Sequence, residues 1–449
     1  MALSVFRSSF SWNQADPATT TYNVDCGFVP EFFIVWITGE DSTTDAVGQD
    51  HMVSGVGFWA ADTRRSAVYI SANAQGNATI ISRSSDVAAL SLPDTSSPGG
   101  ADSDGDLDVV AEASWPATDT IQFIVDTQIA AIYGNLIVQV LAIGGSDITN
   151  AKVGTFQEPA SSGTQDITDP GFQPTGMMII SAGQTAAPPV DASGGCFSVG
   201  MTDGTRSWVL YMGGDNGAST TNTVGYMRST ELVALGTEPS VTIDGLAGLG
   251  SGFISTGVQL NWSERFATRY CFYLAWAGGS FRADSVNTRT DTTQFNGPTN
   301  GFTATAALFV SAGRTASTTD TPTDHSQISI GCAIGATDRA ALAALDEDNA
   351  AAGAANTEVT TAIETDAVYI NIATDSTVQG LMDVVSVASD PWTLVMDTAD
   401  PLAAFVGVAS WGATGAPETV TMDKWAPYFR ALAPPLIQVV PSGTTGIKS

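Results

Sequence analysis

One segment of this chain occurs three times, so the fold has to be assembled from repeated units, and that limits it more than any single motif does. Residues 301–331 read GFTATAALFVSAGRTASTTDTPTDHSQISIG. Residues 171–200 open with GFQPTGMMIISAGQT and close with CFSVG, and residues 27–57 open with GFVPEFFIVWITGED and close with HMVSGVG. In each copy a Gly-Phe pair precedes an apolar run of strand length, a polar loop follows, and a second Gly stands 29 or 30 residues after the first. The units also end alike, with LAIGG at Gly145, LAWAGG at Gly279 and VASWG at Gly412. Modules of about 110 residues follow, each long enough to bury a core of its own. The predicted organisation is an N-terminal strand or arm over 1–24, modules over 25–156, 157–285 and 286–412, and a C-terminal arm over 413–449.

Hydrophobic patterning assigns the modules to the all-β class. Residues 32–38 form an unbroken run of aromatic and β-branched side chains, the composition of a strand buried on both faces. Further short strands are expected at 56–60, 67–71, 79–82, 107–113, 120–125 and 136–143, with turn residues between them. Strands of this length and spacing predict three tandem β-sandwich, jelly-roll-like modules. Residues 340–356 are Ala-rich and favour helix on propensity alone. The repeat argues otherwise, because Asp338-Arg339 stands where Asp203-Gly204-Thr205-Arg206 and Asp62-Thr63-Arg64 stand, at a turn into a strand; strand is therefore predicted to about Leu345. Segments 152–157 and 280–284 read as short strands of either adjoining module, and Phe6, Phe10 and Trp12 suit one face of a strand that joins the first sheet or reaches a neighbouring subunit. Pro417, Pro427, Pro434, Pro435 and Pro441, interspersed with Trp425, Tyr428 and Phe429, exclude a central strand and suit an arm laid on a partner.

Forty-six acidic side chains face 16 basic ones, of which three are lysines, for a formal charge of -30. Nucleic acid is excluded as a partner, since holding phosphates takes clustered Lys and Arg. Self-repulsion on this scale is tolerated where salt screens it over a few Å, which points to a halophilic or marine source, with a soluble acidic protein from a GC-rich genome as the other reading. Cys26, Cys196, Cys271 and Cys332 fall at different places in the modules and form no close pairs, so buried free thiols are expected. MALSVFRSSFSW has neither the charged start nor the apolar core of an export signal, and no apolar run reaches the length of a membrane-spanning helix, so no membrane insertion is expected.

The order GF-x-P, apolar strand, S-I-G, Arg-Ser and L-A-x-x-G-G resembles a repeat module of virion structural proteins of tailed phages and haloarchaeal tailed viruses. The second module carries it through Gly171-Phe172-Gln173-Pro174, Ser198-Val199-Gly200, Tyr226-Met227-Arg228-Ser229 and Leu274-Ala275. The first keeps Gly27-Phe28-Val29-Pro30 and Ile81-Ser82-Arg83-Ser84, whereas the third lacks the Pro and has Glu358 near the place of the Arg. The resemblance implies a non-enzymatic surface component of a virus particle, either a capsid turret or spike or a tail fibre or baseplate part. It would be located in the virion, homo-oligomeric, bound to other virion proteins and able to attach to host surface glycans. A secreted or cell-surface lectin or adhesin is the alternative, and a polysaccharide-degrading tail protein the second alternative.

The residues themselves offer few chemical motifs. Asp102, Asp104, Asp106 and Asp108 alternate around Gly105 and Leu107, and such a spacing of oxygens is a candidate Ca²⁺ loop, weighed against an ordinary solvated acidic turn. No other cofactor is implied, and no catalytic residues are nominated. His51 and His325 each follow an Asp and lie 24 residues after their opening Gly, where the second module has Gly194-Gly195; they are expected to be structural residues at a strand entrance. Trp36, Trp59, Trp115, Trp208, Trp262, Trp276 and Trp411 are either sugar-stacking faces or, for most of them, core.

Overall fold

The first apolar run sends alternate side chains into two different cores. In the strand Pro30–Ile37, Phe33, Val35 and Ile37 pack into one cluster, while Phe32, Ile34 and Trp36 pack into another. Period-two alternation on a pleated strand makes this division, and both faces are apolar because both are covered. The computed structural model describes residues 2–48, 51–61, 63–72, 78–94, 103–109, 118–237, 242–350, 359–387 and 390–414.

The fold is all-β. The first third of the chain holds β1 (Ser4–Trp12), β2 (Thr21–Asp25), β3 (Pro30–Ile37), β4 (Ala46–Gly48), β5 (Met52–Ala60), β6 (Thr63–Ala72), β7 (Thr79–Ser85), β8 (Leu90–Pro93), β9 (Ser103–Val109), β10 (Thr120–Thr127) and β11 (Leu136–Gly144). The second holds β12 (Ile148–Gln157), β13 (Gly163–Ile167), β14 (Gly176–Ser181), β15 (Val190–Ser193), β16 (Gly195–Thr202), β17 (Ser207–Gly214), β18 (Thr223–Arg228), β19 (Glu231–Thr237), β20 (Thr242–Ile254), β21 (Gly257–Glu264) and β22 (Tyr270–Gly278). The third holds β23 (Ser280–Asn287), β24 (Phe295–Asn296), β25 (Ala306–Ser311), β26 (Thr323–Asp324), β27 (Ser326–Ile334), β28 (Asp338–Asp346), β29 (Val359–Glu364), β30 (Tyr369–Ile372), β31 (Val378–Ser386), β32 (Thr393–Thr398) and β33 (Phe405–Gly412).

Seven-stranded sheets run β1-β11-β3-β5-β6-β7-β15, β12-β22-β14-β16-β17-β18-β26 and β23-β33-β25-β27-β28-β29-β4. Four-stranded sheets run β2-β10-β9-β8, β13-β21-β20-β19 and β24-β32-β31-β30. Each large sheet packs on a small one over its own core, in the manner of a sandwich. The other faces of the large sheets meet in a shared core, where Phe32 stacks on Trp276 at 5.2 Å and Trp276 also touches Trp411 at 5.8 Å and Phe281 at 4.8 Å. Aromatic contacts of this kind add about 0.5–1.5 kcal/mol each beyond the area they bury. Residues 1–414 accordingly form one compact unit.

The last strand of every large sheet comes from another third of the chain. β15 pairs with β7, β26 with β18, and β4 with β29. The second third thus completes the first sheet, the third completes the second, and the first completes the third, so the exchange closes a ring within one chain. Each lent strand also covers a sheet edge that would otherwise offer unpaired backbone groups to other chains.

The repeated glycines have structural reasons. Gly27, Gly171 and Gly301 have φ of 68°, 79° and 82°, a left-handed turn before the apolar strand that a Cβ disfavours. At Gly57, Gly200 and Gly331 a Cβ would lie 1.6, 2.0 and 2.0 Å from the carbonyl oxygens of Ala89, Leu232 and Val368, so the small sheet's backbone occupies the space of a side chain.

The Ala-rich segment is strand to Asp346, in β28, because pairing with β27 and β29 outweighs its helical propensity, and residues 351–356 lie outside the described residues. Segments 152–157 and 280–284 lie in β12 and β23, which begin the sheets of the second and third parts, and β1 pairs with β11 along its whole length. Sequence reading missed β2, β8, β13, β19, β24 and the lent strands. The lent strands are two to four residues long, too short to carry a periodic signal. Residues 415–449, with the Pro-rich segment, lie outside the described residues.

Candidate functional site

After the apolar strand each third of the chain makes the same turn and places a different side chain at the seam with a neighbouring sheet. In the third part, the Ser311 hydroxyl donates to the Phe405 carbonyl at 2.7 Å and accepts from the Gly313 N–H at 3.1 Å. Ser181 does the same with Tyr270 and Gly183 at 2.7 and 3.0 Å. The next residue is Glu40, Gln184 or Arg314. Glu40 accepts from the Thr361 hydroxyl at 2.9 Å, and Gln184 donates to the Ser82 hydroxyl at 2.8 Å. Arg314 donates to the Gly225 carbonyl at 3.2 Å and the His325 carbonyl at 2.6 Å.

Beside Arg314 lies a cavity of about 360 Å³ lined by Arg314, Asp324, His325, Gln327, Gln379 and Leu402, among others. Its floor is wired to one buried carboxylate. Asp400 accepts from Tyr369 Oη at 2.7 Å, Thr288 Oγ1 at 2.8 Å and Asn371 Nδ2 at 3.1 Å. With its amide nitrogen thus engaged, Asn371 presents Oδ1 to the Gln327 and Gln379 amides, at 3.0 and 3.3 Å. Asp400 also accepts from the Leu402 N–H at 2.9 Å, which ties the cavity's apolar lip to the same anchor. Burial lowers the Arg314 pKa to about 10 against the opposing pull of Asp324, which still leaves it charged at neutral pH. Burial likewise raises the Tyr369 phenol well above its ordinary value, and the Asp400 charge adds to the shift.

His325 enters this site through its backbone. Its φ is 71°, and Gly194, at the matching point of the second part, has φ 73°. That position demands the left-handed region, which His adopts only when its surroundings hold it there. Its Nδ1 accepts from the Asp348 N–H at 2.8 Å, which assigns the proton of the neutral ring to Nε2. His51 immediately precedes β5, and His325 immediately precedes β27, so both stand at strand entrances. The corresponding cavity of the second part, about 180 Å³, is lined by Gln184, Cys196, Phe266 and Arg269, among others. There Arg269 is held by Glu158 at 2.8 Å and Asp244 at 2.6 Å.

Asp104, Asp106 and Asp108 occupy alternate positions of β9, an extended strand, and Asp102 lies outside the described residues. Asp108 is buried and paired with Arg64 at 2.6 Å, and burial, opposed by Arg64, raises its pKa to about 7. Asp383 of β31 pairs in the same way with Arg339, and burial raises it to about 6. Among the described residues, Asp45, Glu364 and Asp366 converge beside the β4 seam, one carboxylate oxygen of each lying within 4.8 Å of those of the other two. No sequence signal links residues so far apart. Trp36, Trp59, Trp208, Trp262, Trp276 and Trp411 are core residues, and Trp115 lies outside the described residues. The four cysteines are buried free thiols. No helix is long and apolar enough to cross a membrane among the described residues.

No protein-family model matches the chain, and neither a curated protein nor a solved structure matches it.

Proposed function

We propose that this chain is a non-enzymatic structural protein at the surface of a tailed virus particle, as a capsid turret or spike or as a tail fibre or baseplate part. The observation that supports the reading is the closed exchange of strands, in which β4, β15 and β26 each complete a sheet of another third of the chain. A particle component has to keep its shape while its neighbours pull on it, and interlocked sheets around a shared aromatic core resist shear better than modules strung on linkers. The charge of -30 agrees with assembly in concentrated salt, where it is screened. In this reading the protein is a homo-oligomer within the virion, binds other virion proteins and faces the host.

Immunogold labelling of purified particles, with an antibody raised against residues 157–285, tests the proposal. Label at capsid vertices assigns a turret or spike, and label on the tail assigns a fibre or baseplate part. Bare particles with label on cell surfaces would overturn the virion reading in favour of an adhesin. Sedimentation in molar salt checks assembly, with a multimer expected.

A further inference from the structure

We infer that the cavity beside Arg314 is a binding site for one neutral sugar residue, held by the Gln327 and Gln379 amides against an apolar wall that ends in Leu402. The inference rests on the host-facing reading for its biological sense, but its chemistry stands on the cavity alone.

A pyranose ring offers hydroxyls that each donate and accept, together with a C–H face that prefers apolar contact. The lining matches both halves. Gln327 and Gln379 present amides, Arg314 has one Nη2–H beyond its bonds to the Ala312, Gly225, Thr323 and His325 carbonyls, and the Asp324 carboxylate adds acceptors. Leu345 and Ile372 form a buried apolar surface, and Leu402 at the lip is 46% exposed, which leaves it free to cover a ring. At about 360 Å³ the space sits near the lower end of the roughly 300–1,000 Å³ typical of small-molecule sites, which suits one ring and not an oligosaccharide.

Charge decides between sugar classes. Arg314 and Asp324 contribute one formal charge of each sign to the lining, so an acidic sugar finds no net local charge to compensate its own. A neutral ring needs no such compensation, and its hydrogen bonds survive molar salt that screens ion pairing.

The cavity is also organised before any ligand arrives. Asp400 is fully buried and fixes Asn371, which in turn orients both glutamine amides, while the Leu402 N–H is held by the same carboxylate. Groups already held in place lose little freedom on binding, which is where much of the affinity of small polar sites originates. The matching cavity of the second part lacks this wiring, because Gln184 is turned to Ser82 and Arg269 to two carboxylates.

Saturation-transfer NMR and calorimetry on the full chain in molar salt, with glucose, galactose, mannose, N-acetylglucosamine and glucuronate as probes, test the inference. Saturable binding of at least one neutral sugar is expected, unchanged on raising the salt. Gln379→Ala should weaken it about five- to tenfold, the effect of one lost hydrogen bond. Leu402→Asp should abolish it, and Phe266→Ala, in the other cavity, should leave it unaltered. Both cavity changes fall at half-exposed positions, and circular dichroism verifies that each variant is folded. Absence of saturable binding by every neutral sugar, glucuronate binding alone, or wild-type affinity in both cavity variants would overturn the inference. Sugar binding by a protein whose label falls on cells keeps this inference and sinks the virion reading, so the two fail separately.

Discussion

At the seam made by β15, Asp191 meets Arg83 at 2.6 Å, with the two side chains 0% and 1% exposed. At the seam made by β4, the lent strand carries Ala46 and Val47, Glu40 accepts from Thr361, and the acids Asp45, Glu364 and Asp366 crowd its end. The two strands hold the same place in the topology, yet one is fastened by a buried ion pair and the other by the Thr361 hydroxyl on Glu40 and the Thr365 hydroxyl and N–H on Asp45, beside like charges. The backbone ladder at these edges is common to any sequence, so side chains have to decide which strand belongs where. Among the edge strands β7, β18 and β29, Arg83 stands opposite Asp191 in register, while Ala362 stands opposite Val47. A buried acid placed against Ala362 would have no counter-charge there, which disfavours exchange with the wrong edge in a crowded assembly.

The largest expected effect breaks the first seam. Arg83→Ala or Asp191→Ala leaves the other charge buried and should lower stability by about 3–5 kcal/mol, read from the chemical denaturation midpoint. A loss below about 1 kcal/mol, the range of exposed pairs, would remove the contrast between the seams. Next in size, Thr361→Val takes a donor from the buried Glu40 carboxylate and should destabilise by about 1.5–3 kcal/mol in the same assay.

The acid cluster sharpens the comparison through pH. Burial, then Asp45, Asp366 and Asp397, raise the Glu364 pKa to about 7. The folded state therefore binds a proton more tightly than the unfolded one. Stability falls as pH rises from the ordinary glutamate range to about 7, and the penalty is complete above that. Glu364→Gln should raise Tm at pH 8 and leave it nearly unchanged at pH 4, as thermal melts across this range can test. An equal rise at both values would show that the side chain acts by packing. The smallest effect is expected at Arg7, which joins β1 to Asp338 at 2.6 Å with Asp338 45% exposed. Arg7→Ala should cost at most about 1 kcal/mol at low salt and nothing measurable in molar salt.

Much of the fold was legible because it rests on local rules. The apolar runs at β3, β14 and β25 announced strands, and the run at β3 announced one buried on both faces. The Asp102–Asp108 pattern shows the limit. Alternation places Asp104, Asp106 and Asp108 along one strand but carries no sign that Asp108 is buried against Arg64 of β6. The cavity was not legible at all. Arg314, Gln327, Gln379 and Asp400 span 87 positions (400 − 314 + 1) without a shared spacing, and the register of separate strands brings them together.

By itself, the sequence determined the all-β class, the threefold repeat and the apolar strand that opens each unit, since these follow from composition and side-chain period within a few residues. Tertiary structure alone decided that three sheets face one shared core, that each borrows its last strand from another part of the chain, and that a buried aspartate organises the cavity of the third part. Strand edges are made of backbone N–H and C=O groups that every residue carries, so the partner of an edge is not written in a periodic pattern. It is chosen when distant segments pack and the remaining unpaired edge meets the one short strand within reach.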